Sequence, residues 1–338
     1  MYIENNITRN QISKWLLFMF CLIAFMIIVG GLTRLTDSGL SITEWELFSG
    51  IFPPMNDQQW LMYFESYKKI PEFKLQNFSM TLSEFKVIFW WEWAHRFLGR
   101  LIGISFLLPL IYFTFKENFK NLINFYVIFL LICFQGFIGW YMVSSGLVNK
   151  VDVSHFRLSI HLLIAFIILS LIFWNYLNLN LIITSNDKIK NFLPLTFLIL
   201  IFLQIIIGAF VSGMDAGKIY NSWPLMNEKY FPDDSNINDL FKLSVFSDPS
   251  LVQFIHRNLA YVICFIYIYI IFHVYKKKAV FLYKPLKILG FFILLQIILG
   301  IITIILGAQI FIASMHQISS IFLVCSSIYF FYINNKTN

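Results

Sequence analysis

Apolar residues gather in eight long runs, near residues 14–33, 95–115, 122–143, 158–178, 192–212, 254–275, 287–307 and 310–333. Each approaches the ~20 helical residues that cross the ~30 Å hydrocarbon core of a bilayer. The apolarity is continuous rather than alternating, which excludes membrane strands. The pattern predicts an all-α polytopic membrane protein with eight transmembrane helices. Two connections are long, 34–91 and 213–253, and the others are short.

Polar positions orient this array. The N-terminus, the short loops near 116–121, 179–191 and 276–286, and the tail carry twelve Lys/Arg against three acids. The opposite side carries thirteen against fifteen, spread over much longer segments. The positive-inside bias predicts that both termini are cytoplasmic and that the long loops face outward, with lipid as the surrounding partner. The net charge of +7 is thus a topology signal rather than a nucleic-acid patch.

The long loops read as folded and lid-like. Ser41-x-x-Glu44 and Thr81-x-x-Glu84 both match capping boxes. Gln58 to Lys69 sets Trp60, Phe64 and Tyr67 at helical spacing, as in an interfacial helix, and Pro53-Pro54 interrupts between these elements.

Composition agrees with the pattern: of 338 residues, 59% are hydrophobic and 13% charged, with a mean hydropathy of +0.73. A soluble chain of this length cannot bury that much apolar surface. No cleavable leader is apparent, so the first run is expected to stay as an anchor. Cys21, Cys133, Cys264 and Cys325 all lie in apolar runs with no C-x-x-C pair, which favours buried packing over disulfides or thiolate metal sites.

The halves repeat. Gly30, Asp37, Gly39 and Trp45 fall on Gly208, Asp215, Gly217 and Trp223 at an offset of 178. At an offset of 161, Glu92-x-x-His95-Arg96 falls on Gln253-x-x-His256-Arg257, Gln135 on Gln296 and Gly139 on Gly300. The fourth and eighth runs each hold one histidine, His161 and His316. The expected organisation is two four-helix bundles, 1–178 and 179–338, related by a pseudo-twofold axis along the membrane normal.

Each bundle then carries a histidine on its second span and one on its fourth, near the outer surface. Two neutral imidazoles facing each other across a bundle can ligate one haem iron from both sides. Arg96 and Arg257, beside the ligands, could pair with the propionates. For a single histidine, core packing is the better explanation; four at matched positions favour a cofactor. His155, in the loop before the fourth run, and His273, at the cytoplasmic end of the sixth, are not read as ligands. The asymmetry is chemical: Glu92 can carry charge or accept a proton, whereas Gln253 cannot. This division places reaction in the first half and electron relay in the second. The bland alternative is a Trp-rich interfacial belt in which Glu92 only pairs with Arg96.

GGLTRLTDSGLSITEW (30–45), EWAHRFLGRLIG (92–103), HFRLSIHLLIAF (155–166), GAFVSGMDAG (208–217), QFIHRN (253–258) and SMHQ (314–317) together resemble the haem A synthase family, over essentially the whole chain. With no cysteine pair in the outer loops, the chain is similar to the cysteine-free bacterial and mitochondrial branch. The resemblance implies oxidation of the C8 methyl of haem O to a formyl group, giving haem A for terminal oxidases. It implies haem b as cofactor with His256 and His316 as axial ligands, substrate haem O between His95 and His161, and Glu92 as the catalytic acid. A haem O synthase is the implied source of substrate, a bacterial inner membrane is the implied setting, and the electron acceptor is unknown. The rivals are a diheme cytochrome b for quinol-linked electron transfer and a transporter built on duplicated bundles.

Overall fold

A computed structural model describes residues 6–46, 49–147, 151–183 and 188–336. Among them the regular structure is helical, apart from one isolated bridge between Met226 and Lys229. Eight helices are long and apolar enough to cross a membrane. In chain order the helices are α1 (Asn6–Leu35), α2 (Asp57–Tyr67), α3 (Pro71–Leu75), α4 (Leu82–Thr114), α5 (Phe119–Gly146), α6 (His155–Asn180), α7 (Phe192–Gly213), α8 (Pro249–Lys276), α9 (Tyr283–Ile305) and α10 (Ile310–Lys336). All but α2 and α3 are spanning helices.

The helices that touch form two closed circuits. α1 packs on α4 and α6, and α5 on α4 and α6; α7 packs on α8 and α10, and α9 on α8 and α10. Between the circuits, α6 lies on α7, and α10 lies on α1 and α6. One continuous core runs through both, from Trp15, Leu16 and Phe106 to Phe197, Leu289 and Phe330. Phe18, Leu108, Leu130, Phe265 and Phe291 point outward and stay exposed, as lipid-facing side chains do.

The second span differs from its expected bounds. α4 starts at Leu82, thirteen residues before the expected 95, because Thr81 and Glu84 form a complete capping box. Its 33 residues extend about 50 Å, well beyond a bilayer core. The projecting turns carry the lid. Trp60, Phe64 and Tyr67 of α2 pack against Phe85 and Phe89 of α4, with Leu40, Ile42 and Ile70 completing a second core. The face expected at a membrane interface is therefore buried inside the protein, where aromatic edge contacts such as Trp60–Phe89, at 4.9 Å, hold it.

Two further expectations are corrected. Residues 41–46 form no helix, so Ser41 and Glu44 make no capping box. Cys21 and Cys133 are exposed on the helix surfaces rather than packed in the core, while Cys264 and Cys325 are partly buried. In a bilayer an outward apolar face serves a thiol as well as the core does.

Candidate functional site

Each of the four repeat-matched histidines lies against a glycine of a neighbouring helix. A Cβ on Gly30 of α1 would stand 3.1 Å from His95 Nε2, and one on Gly139 of α5 would stand 2.9 Å from His161 Cε1. In the second half, a Cβ on Gly208 of α7 or Gly300 of α9 would stand 3.1 Å from Cε1 of His256 or His316. All four distances are tighter than ordinary side-chain contact. A larger residue at any of the four positions would push its imidazole aside, most sharply at Gly139.

His95 of α4 and His161 of α6 have ring centroids 6.4 Å apart, inclined at 70°. Metal–imidazole bonds of about 2 Å on opposite sides of one iron would hold two ring centroids roughly 6–6.5 Å apart. In the second half, His256 of α8 and His316 of α10 each stand against a glutamine amide, Gln204 Nε2 lying 3.3 Å from His256 Nε2 and Gln296 Nε2 lying 3.5 Å from His316 Nε2.

Amides hold the helix turns that carry the histidines. Gln135 donates to the carbonyl of His161 at 2.9 Å, Gln296 to that of His316 at 3.1 Å and Gln204 to that of His256 at 3.0 Å. Ser319 donates in turn to Gln296 Oε1. Met26 occupies the repeat position of Gln204, so His95 lacks the matching amide. The Nδ1 atoms of His161, His256 and His316 are buried without a hydrogen-bond partner. Buried imidazoles seated against glycines, three of them with an unpaired Nδ1, are a donor set that suits haem iron.

Glu92 is 2% exposed. Its Oε2 accepts from Ser41 Oγ and from the backbone N–H of Ile42, each at 2.7 Å, and its Oε1 accepts from Arg96 Nη2 at 2.6 Å and Nε at 3.1 Å. The ion pair of the bland reading is therefore present, but within a larger network. Ser41 is the partner that a local capping pattern concealed. Gln253, 1% exposed, reverses the hydrogen bond at the matching place. Where Glu92 accepts from the N–H of Ile42, Gln253 Nε2 donates to the carbonyl of Tyr220 at 3.1 Å.

The two arginines clasp the outer loops. Arg96 donates to the carbonyls of Ile42 and Glu44 at 2.8 and 3.1 Å. Arg257 donates to those of Tyr220 and Ser222, each at 2.9 Å, and to that of Leu225 at 3.2 Å. Tyr220 and Ser222 are the repeat positions of Ile42 and Glu44, so the same clasp is built twice. The expected propionate partners are thus largely engaged with backbone, because loops crossing above the sites bring their carbonyls to the guanidinium planes. His155 begins α6 rather than lying in a loop, and His273 Nδ1 contacts the carbonyl of Tyr269 at 3.0 Å near the end of α8.

A second buried acid stands in the lid. Glu72 of α3 is 3% exposed and its Oε2 has no hydrogen-bond partner. Burial pushes its carboxyl up to about 8, with Glu92, Asp152 and Asp37 adding to the rise. Tyr63 is likewise raised to about 12 by burial and by its hydrogen bond to Glu46. Glu72 escaped the sequence reading because a lone loop acid carries no spacing signal.

Eight helices long and apolar enough to span a membrane and four glycine-seated histidines define a polytopic membrane protein with the donor set of a haem protein. A family profile described as cytochrome oxidase assembly protein, COX15-CtaA, matches residues 13–328. A heme A synthase of Pelagibacter ubique is 51% identical over 338 residues, covering 99% of this chain and all of its own length. Heme A synthases of Rickettsia bellii and Rickettsia felis are 45% and 41% identical, each over at least 94% of this chain. The chain belongs to the haem A synthase family.

Proposed function

We propose that this protein oxidises the C8 methyl of haem O to a formyl group, giving haem A; the change takes up one oxygen at the oxidation level of water and releases four protons and four electrons to an external one-electron acceptor, and His256 and His316 would hold a haem b that supplies one-electron transfer. The observation that carries the reading is the doubled glycine-seated histidine pair with a carboxylate beside only one copy. It agrees with the activity named for the relatives, and methyl-to-formyl oxidation removes four electrons. Haem O would bind between His95 and His161 in residues 1–178, and haem b between His256 and His316 in residues 179–338. The second group, when bound, supplies a one-electron carrier.

The chain's own groups then divide the work. Gly30, Gly139, Gly208 and Gly300 let the imidazoles enter the helix circuits. Gln135, Gln204 and Gln296 fix the turns that carry them, so ligand direction is set before haem arrives. Glu92, one turn from His95, accepts protons leaving the reacting methyl or faces positive charge developing there. Arg96, Ser41 and the Ile42 N–H hold that carboxylate at a fixed point. The clasped loops and the α2–α4 lid keep water from the site's outer side. The charge asymmetry of the loops supports cytoplasmic termini, and the family a bacterial inner membrane, with the site toward the outer surface and haem O supplied by the synthase that makes it.

Extracting the haems from purified protein and identifying them by mass tests the reading. Haem O or haem A beside haem b supports it. Haem b alone supports the diheme cytochrome, and no haem overturns both.

A further inference from the structure

The two histidine pairs lie in different helix circuits, and among the contacts between the circuits one starts beside a histidine. Gln317 follows His316 on α10, crosses to α1 and donates from Nε2 to the carbonyl of Ile27 at 2.9 Å. That carbonyl lies one turn before Gly31, and a Cβ on Gly31 would overlap the Gln317 amide. Glycine at 31 therefore uncovers the helix backbone so that a polar side chain from the other half can reach a buried carbonyl. Gly30, the next residue, faces His95. A continuous line of contact thus runs from His95 through Gly30, Gly31 and Gln317 to His316.

The repeat lacks a second copy of this joint. Ala209 occupies the position matching Gly31, one residue after Gly208, so the other half lacks the paired glycines. Packing alone would need only a small residue at 31. A polar amide donating to a mid-span carbonyl is a directional tie, and directional ties fix register between helices.

Building on the two-site reading above, we propose that Gln317 and Gly31 are positioning residues that set the two histidine pairs at a fixed mutual distance for electron hand-off. Neither touches the reacting atoms. Gly31→Ala would expel the amide and Gln317→Leu would remove it, so both break the same tie.

The test uses full-length protein in nanodiscs, loaded with haem O and haem b. The transfer of a flash-injected electron from one haem to the other is timed, beside haem content and the low-spin spectrum. Each single variant is expected to keep both haems and their spectra while slowing hand-off severalfold, because electron transfer weakens steeply with distance. The double variant should be no slower than either single one, as for residues acting as a unit. Wild-type hand-off in both single variants, or multiplied slowing in the double, overturns the proposal. If Gln317→Leu loses haem, Gln317→Asn is read by the same criteria: its shorter amide falls short of Ile27, so a wild-type rate there refutes the tie. Wild-type protein that holds a single haem overturns the two-site reading and this proposal together.

Discussion

Ser41 donates its hydroxyl to Glu92 Oε2 across 51 residues of chain, at 2.7 Å. The same oxygen takes the N–H of Ile42, so the outer loop and the acid beside His95 are one unit. Glu92→Gln keeps the shape but turns an amide N–H₂ toward donors that require an acceptor. Haem A production should fall about 100-fold or more, the scale of acid–base catalysis, while both haems stay bound. Ser41→Ala removes one donor of four, about 1 kcal/mol, and should cost less than tenfold. Haem analysis of membranes expressing each variant checks this, and normal haem A output from Glu92→Gln would sink the assignment.

The glycine seats make a second expectation. Gly208→Ala or Gly300→Ala places a methyl 3.1 Å from an imidazole of the proposed haem b pair, so the ring must move by a few tenths of an ångström. Each should lower the content of the second-half haem and broaden or shift its absorbance. Gly103, with nothing within 4 Å of its would-be Cβ, is the control. Equal haem content in all three variants would show that the seats do not position ligands.

Arg257 ties three loop carbonyls from a site 7% exposed. Arg257→Leu strands those acceptors and should destabilise the second outer segment by about 2–4 kcal/mol. Limited proteolysis between residues 213 and 253 reads the loss directly. Unchanged cleavage would mean the loop is held by other contacts.

Glu72 introduces a pH dependence whose sign follows from its environment. Its carboxyl is raised from 4.5 to about 8 in the folded protein, chiefly by burial. Between those values the folded chain keeps a proton that the unfolded chain has released. Stability therefore falls as pH rises through this window and levels off above it. Thermal melts across that range should show the slope, and Glu72→Gln should flatten it. An equal slope in the variant would assign the effect to another group.

The spanning helices and their histidines were legible because continuous apolarity and a repeat both survive in one sequence. The matched offsets carried His95 to His256 without any structure. Ser41 was misread because its hydroxyl satisfies a local pattern, while its actual partner lies 51 residues away. α4 was truncated because Glu84 and Lys86 dilute its apolarity, although Thr81 already marked its start. The arginines were assigned to a ligand because the carbonyls that engage them have no side-chain signature. Gln204 was invisible for the opposite reason: with Met26 as its counterpart, no repeat flags it.

Arg34 donates to the carbonyl of Ser212 at 2.9 Å, and Ser212 is the residue that stands at Arg34's own place in the other half. A residue that touches its counterpart marks where a symmetry axis passes. One half supplies the cation and the other the carbonyl that receives it. The second half has no cation at that place, so the contact is made once and in one direction, from the first half to the second.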